Sequence, residues 1–113
     1  MILTTRGRRS GLPRRTMLLF QRLDGKPYAV AAYGHRSQWY RNLQADPQVT
    51  IETASGSERR TARVLTVRDE IVDVARRLAR RPIMRAYLSS LGIGTDPDAI
   101  EQGAQRILLV AFE

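Results

Sequence analysis

The stretch Thr16–Tyr33, TMLLFQRLDGKPYAVAAY, decides the fold class, because it reads as two strands folded back on each other. Asp24-Gly25 separates the apolar run Thr16–Leu23 from Tyr28–Tyr33. An Asp-Gly pair between such runs is a hairpin signal, since the tightest hairpin turn needs positive φ at both central residues. Working outward, Ile2–Thr5 is a short β-branched stretch that predicts a strand before this hairpin. Val49–Thr53 and Thr61–Val67 predict two more around the polar turn Ala54-Ser55-Gly56-Ser57, and Ile107–Phe112 predicts the last. About six short antiparallel strands, mostly joined by tight turns, point to a sheet closed or half-closed into a small barrel.

Helical spacing interrupts the strands. Ser37 is placed to N-cap a helix running through Ala45, stopped by Asp46-Pro47, with Trp39, Tyr40 and Leu43 on its buried face. From Val67-Arg68 onward, Ile71, Val72, Val74, Ala75, Leu78 and Ala79 recur at helical period. Pro82 breaks this helix or opens another carrying Ile83, Met84, Tyr87, Leu88 and Leu91, which Gly92-Ile93-Gly94 ends. A short helix is expected from Asp96-Pro97 to about Gly103. No repeat, linker or low-complexity tract divides the 113 residues, so a single domain over 1–113 is expected.

Composition removes whole classes of chemistry. Without cysteine there is no disulfide, thiol nucleophile or thiolate-held metal, and His35 is the only histidine. No phosphate-binding Walker loop or Gly-x-Ser-x-Gly elbow occurs. Redox chemistry would therefore need a bound organic cofactor. No apolar run approaches the length of a membrane span, and the N-terminal residues lack the pattern of a secretory signal, which predicts a cytoplasmic protein. Nineteen basic residues against eleven acidic ones give a net charge of +8 and favour an anionic partner.

Two segments concentrate that chemistry. In Arg6-Gly7-Arg8-Arg9-Ser10-Gly11-Leu12-Pro13-Arg14-Arg15, five arginines share ten residues with two glycines and a proline. Glycine permits close backbone approach, proline stiffens the loop, and guanidinium groups bind phosphate or carboxylate in bidentate fashion. A solvated basic hairpin is the common reading of such a run, but five clustered cations repel one another unless an anion is present. The second segment, Ala31–Leu43, is a strand exit, a glycine turn and a helix start. The helix start offers free N–H groups beside Arg36.

Together, Leu3-Thr4-Thr5, Gly7-Arg8-Arg9-Ser10-Gly11, Arg14-Arg15-Thr16 and the later Trp39-Tyr40-x-Asn42-Leu43-x-Ala45-Asp46-Pro47 resemble the deazaflavin-dependent nitroreductase family over roughly residues 2–67. The resemblance implies an α+β split β-barrel of the FMN-binding type. It also implies an enzyme that transfers a hydride from reduced coenzyme F420, a deazaflavin, to an electron-poor acceptor such as a quinone or nitroaromatic. Carried over by motif position, the cofactor's phosphate and acidic tail would meet Arg8, Arg9, Arg14 and Arg15. The ring would lie along Thr16, Met17 and Leu18, and Ala32, Gly34, Arg36 and Trp39 would complete the pocket. Met17 stands where the family commonly has proline, and Gly34-His35-Arg36-Ser37 is a shortened form of its loop.

The resemblance identifies no catalytic residue; Tyr33 and Tyr87 could donate a proton, although each reads more simply as a packing or edge aromatic. The family's usual helix ahead of the first strand has no counterpart before Ile2, so a homodimer in which a second subunit covers the ring face is expected. Two alternatives use the same charge. One is a barrel that binds FMN, and the other a non-enzymatic nucleic-acid-binding barrel. The latter would want exposed aromatics for stacking. With seven aromatics in the chain and Trp39 assigned to a helix start, nucleic acid is the less favoured partner.

Overall fold

The computed structural model describes all of residues 1–113. Seven strands, all paired antiparallel, form one sheet: β1 (Ile2–Arg6), β2 (Pro13–Met17), β3 (Phe20–Leu23), β4 (Lys26–Val30), β5 (Gln48–Thr53), β6 (Gly56–Val64) and β7 (Leu109–Phe112). Four helices accompany them: α1 (Gln38–Ala45), α2 (Arg68–Ala79), α3 (Pro82–Ser90) and α4 (Pro97–Gly103).

The sheet order β2-β1-β5-β6-β7-β4-β3 places β2 and β3 at opposite edges. Yet only Leu18 and Leu19 separate them in the chain. Two residues span a few ångströms, so the edges must approach and the sheet curls into a half-barrel. This corrects the expectation of one strand over Thr16–Leu23 and of about six strands in all. The run breaks at Leu18-Leu19 because its first half pairs with β1, Thr16 opposite Leu3, whereas its second half pairs with β4, Phe20 opposite Ala29. The bend is tied to the chain start: the Leu18 N–H donates to the Met1 carbonyl at 2.9 Å, and the Met1 ammonium donates to the Leu18 carbonyl at 3.1 Å.

The Asp24-Gly25 turn forms as the sequence predicts, with φ of 52° and 82° at its central residues. Alternation along β4 and β7 separates two cores. Ala29, Val110 and Phe112 point into the barrel with Leu3, Ile51, Tyr40 and Leu43. Tyr28, Val30, Leu109 and Ala111 point the other way and meet α2, α3 and α4 through Ile71, Leu78, Met84, Leu88 and Ile100. Every residue of β7 is buried because both of its faces are covered.

Element boundaries shift modestly from expectation. β4 ends at Val30, and Ala31–Ser37 runs through a turn and a 3-10 segment, Gly34–Arg36, instead of extending the strand to Tyr33. β6 starts earlier, at Gly56, and the last strand starts later, after a 3-10 turn at Ala104–Arg106.

Candidate functional site

The hairpin between β1 and β2 carries the arginines. Arg6 ends β1, and Arg14 and Arg15 already lie on β2, so the true loop is only Gly7–Leu12. The Gly7 N–H donates to the Leu12 carbonyl and the Gly11 N–H to the Gly7 carbonyl, both at 2.8 Å. Gly11 has φ of 72°, which side chains disfavour. A Cβ on Gly7 would stand 2.7 Å from Ser10 Oγ and 3.2 Å from the Leu12 carbonyl, so the close approach itself requires glycine there. Ser10 Oγ accepts from the Leu12 N–H at 3.2 Å, and at 3.5 Å it also receives Arg14 Nη2.

Helix α1 comes against this hairpin through one side chain. Asn42 Oδ1 accepts from the Arg8 backbone N–H at 3.3 Å and from Arg8 Nη1 at 2.8 Å, while Asn42 Nδ2 donates to buried Thr5 Oγ1 at 3.2 Å. Tyr40 and Leu43 anchor the helix in the barrel core, whereas Trp39 is only half-buried. Its ring meets Tyr40 edge-to-face at 6.1 Å. Ser37 occupies the N-cap position, but its hydroxyl makes no capping bond. The first N–H groups of α1 therefore have no partner from the cap.

Between these elements lies a cavity of about 750 Å³, within the range of small-molecule sites. It sits along β2 and the Leu18-Leu19 bend, reached from one side by the end of β4 and the start of α1 and from another by α3. Of the residues expected from sequence, Arg8, Arg9, Arg14, Arg15, Thr16, Met17, Leu18, Ala32 and Trp39 line it. Gly34 and Arg36 do not. Gly34 turns the chain at φ 57° and its carbonyl accepts the Ser37 N–H at 3.1 Å; Arg36 stands exposed on the 3-10 turn. Residues that the sequence did not assign to the pocket also line the cavity, among them Thr5, Gly7, Ser10, Leu19, Val30, Ser37, Gln38 and Asn42. Asn42 lay in the quoted motif, but nothing in a linear spacing shows that a polar side chain is buried. Tyr33 and Tyr87 both reach the wall.

The cavity is electrically lopsided. Of the five arginines in the hairpin only Arg15 has a carboxylate partner, Glu52 at 3.5 Å, so Arg6, Arg8, Arg9 and Arg14 are uncompensated. Partial burial, then the like charges of Arg41 and Arg9, push the Arg8 guanidinium below its ordinary pKa. A bound anion would relieve that repulsion. Much of the remaining lining is apolar and aromatic: Leu18, Leu19, Val30, Ala32, Trp39 and Tyr87. Burial, and to a lesser degree Tyr33, raise the Tyr87 pKa. No group of three or more potential metal ligands exists, and no helix is long and apolar enough to cross a membrane.

The family model for F420H(2)-dependent quinone reductase matches residues 1–89, which include every residue that lines the cavity. The chain belongs to that family. Coenzyme F420 is accordingly the cofactor of its kind, and the F420H(2)-dependent quinone reductases are a class of oxidoreductase. Among curated proteins none matches. A solved F420-H2 dependent reductase (FDR-A) is 24% identical, with a TM-score of 0.59 over 99% of this chain and 91% of that one. A structure described as a domain-swapped dimer is 23% identical, with a TM-score of 0.58 over 99% and 78%. Another, 26% identical with a TM-score of 0.50, aligns over 57% of this chain, which spans 58% of that chain's length. These likenesses establish the split-barrel fold.

The residues present fit the cofactor of an F420H(2)-dependent reductase. A phosphorylated, acidic tail would be met by cations that no carboxylate pairs, and Arg8, Arg9 and Arg14 are such cations on the cavity lining. A planar ring would be met by apolar surface, and Leu18, Val30 and Trp39 offer such surface in the same cavity.

Proposed function

We propose that this chain holds coenzyme F420 with its tail on Arg8, Arg9 and Arg14 and its ring against Leu18, Ala32 and Trp39, and reduces a quinone-type acceptor there. The observation that carries the reading is an uncompensated arginine cluster lining the same cavity as a set of apolar and aromatic side chains. Bound in its reduced form, the cofactor supplies a hydride to an electron-poor acceptor. The chain's own residues bind, orient and exclude water.

Arg14 and Thr16 project from β2 on the same side of the sheet as buried Thr5 and Leu3, which are their register partners. Charge and ring contact are thus offered two residues apart on one rigid strand. Arg8 is held at its position by Asn42 rather than left to search solvent, so less conformational entropy is lost on binding. Leu18 and Leu19 at the bend and Trp39 at the helix start keep water from the ring side. Reduction of a quinone to a hydroquinone consumes one hydride and one proton. Tyr87 Oη on α3 holds a proton at the cavity wall, and Tyr33 lies close enough to perturb it.

Gly34, which does not line the cavity, acts on this reading through the chain path: it turns β4's exit so that Ser37, Gln38 and Trp39 line the cavity. The deciding experiment is fluorescence titration of the protein with F420, repeated with FMN and with a short DNA duplex. Tight, saturable binding of F420 is the expected result. Preference for FMN would move the chain to flavin chemistry, and preference for DNA would remove the enzyme reading altogether.

A further inference from the structure

Leu3 and Thr5 of β1 are buried inside the barrel, so Thr4 and Arg6 between and beyond them point outward. β5 alternates in the same way: Val49 and Ile51 are buried, and Gln48 and Thr50 face out. Register carries this outer row across three strands, with Thr4 opposite Thr50 and Thr50 opposite Arg59 of β6. The Cα atoms of Arg6 and Arg59 therefore stand roughly 12 Å apart, two strand spacings across and two residues along.

These outward side chains border a second cavity, of about 420 Å³. Its lining holds both arginines and no acidic residue; Val49 is its only branched aliphatic and no aromatic reaches it. Neither Arg6 nor Arg59 has a carboxylate partner. Glu52 is taken by Arg15, and Glu58 by Arg22 and Arg60, while Asp46 accepts the Gln48 N–H at 3.1 Å and does not border the cavity. Arg6 lies against the hairpin, its Nε and Nη2 3.7 Å from where a Cβ on Gly11 would stand. A lone exposed arginine needs no partner, but a concave surface carrying one sign of charge concentrates ions of the other.

We propose that this outer cavity binds a phosphorylated polyol, its phosphate groups on Arg6 and Arg59 and its hydroxyls on Thr4, Gln48 and Thr50. Guanidinium groups bind phosphate in bidentate fashion, and threonine hydroxyls and a glutamine amide both donate to and accept from alcohols. The volume is many times the ~30 Å³ share of one water, so a bare phosphate would leave most of it empty. A nucleotide base would find no ring to stack on. The site is separate from the first cavity, with which it shares only Thr5.

Isothermal titration at low ionic strength, without F420, tests it with fructose bisphosphate, fructose and inorganic phosphate as probes. Fructose bisphosphate should bind saturably and more tightly than phosphate, and fructose not at all. Arg6→Ser and Arg59→Ser should each weaken it about ten-fold, the loss of one charge-assisted contact. Arg80→Ser, which removes an unpaired arginine outside both cavities, is the control for bulk charge and should have much the smaller effect. Arg59→Ser should leave F420 affinity unaltered. The proposal is overturned if the wild type does not bind fructose bisphosphate, if phosphate binds as tightly, or if Arg80→Ser costs as much as Arg59→Ser. It is equally overturned if F420 displaces fructose bisphosphate, which would make the outer cavity an extension of the first. A halved mass of Arg59→Ser in light scattering would also overturn it, by making this face a contact between copies. Failure of the wild type to bind F420 leaves the fructose bisphosphate result standing, so the two readings fail separately.

Discussion

Asn42 joins the two halves of the candidate site with a single amide. Its carbonyl oxygen receives both the backbone and the side chain of Arg8, and its NH2 group reaches buried Thr5. Replacing it with alanine leaves Thr5 Oγ1 and the Arg8 guanidinium without partners, at a cost of about 1–3 kcal/mol. Denaturant unfolding of Asn42→Ala should show that loss together with weaker F420 binding. Arg14 carries charge and no architectural bond beyond the long contact to Ser10. Arg14→Ala should therefore keep wild-type stability while F420 affinity falls by about 1.5–3 kcal/mol, or roughly ten- to hundredfold in Kd. Unchanged affinity in the titration would remove Arg14 from the site. At this scale the basic residues were legible in the sequence because charge clusters are visible in one dimension. Asn42 and Thr5 were not, because their importance comes from burial, and burial is a property of the assembled barrel.

Between elements, the decisive event is the break at Leu18-Leu19. Thr16–Leu23 reads as one apolar strand, and nothing local stops it. The interruption comes from competing partners, β1 before the bend and β4 after it. That division opens the barrel where the cavity lies. The hairpin at Asp24-Gly25, the helix from Arg68 and the proline start of α3 were all readable, since each is set by turn chemistry or period within a few residues. The α3–α4 connection depends on a close approach that the sequence hints at only by its glycines. A Cβ on Gly94 would lie 2.6 Å from the Ala99 Cβ, and neither atom sits on a flexible stem. Gly94→Ala should destabilise the fold by about 1–3 kcal/mol through overpacking. A thermal melt indistinguishable from wild type would show that the connection shifts freely.

For the whole molecule, ion pairs stitch β6 to its surroundings. Arg63 holds Glu70 of α2 through two bonds at 2.7 and 2.8 Å and also pairs with Glu113, while Glu58 pairs with Arg22 of β3 at 3.5 Å and, within β6, with Arg60. Hydrogen bonds from Arg63 depress the Glu70 and Glu113 pKa values, and one from Arg60 depresses that of Glu58. A carboxylate whose folded pKa lies below its unfolded value stabilises the fold fully above the unfolded value, and that stability is lost as pH falls through the folded one. Tm should thus be level from neutral pH down to about 5 and decline below about 4.3, the unfolded glutamate value. Added salt should flatten the decline, because these groups are about one-third exposed and are screened. A Tm that rose on acidification would contradict the assignment. A homodimer remains our proposal at this scale, and light scattering should give about twice the 12.8 kDa chain mass.

The sequence by itself determined the antiparallel sheet, the helices, the arginine clustering of the first hairpin and the family, because turn chemistry, periodicity and charge clustering are all local in the chain. Only the tertiary structure decided that Thr16–Leu23 serves both edges of the sheet, that Asn42 clamps Arg8, and that Tyr33 and Tyr87 share the cavity wall. Each of these depends on partners tens of residues away, and a residue's neighbours across a curled sheet are fixed by how the whole barrel closes.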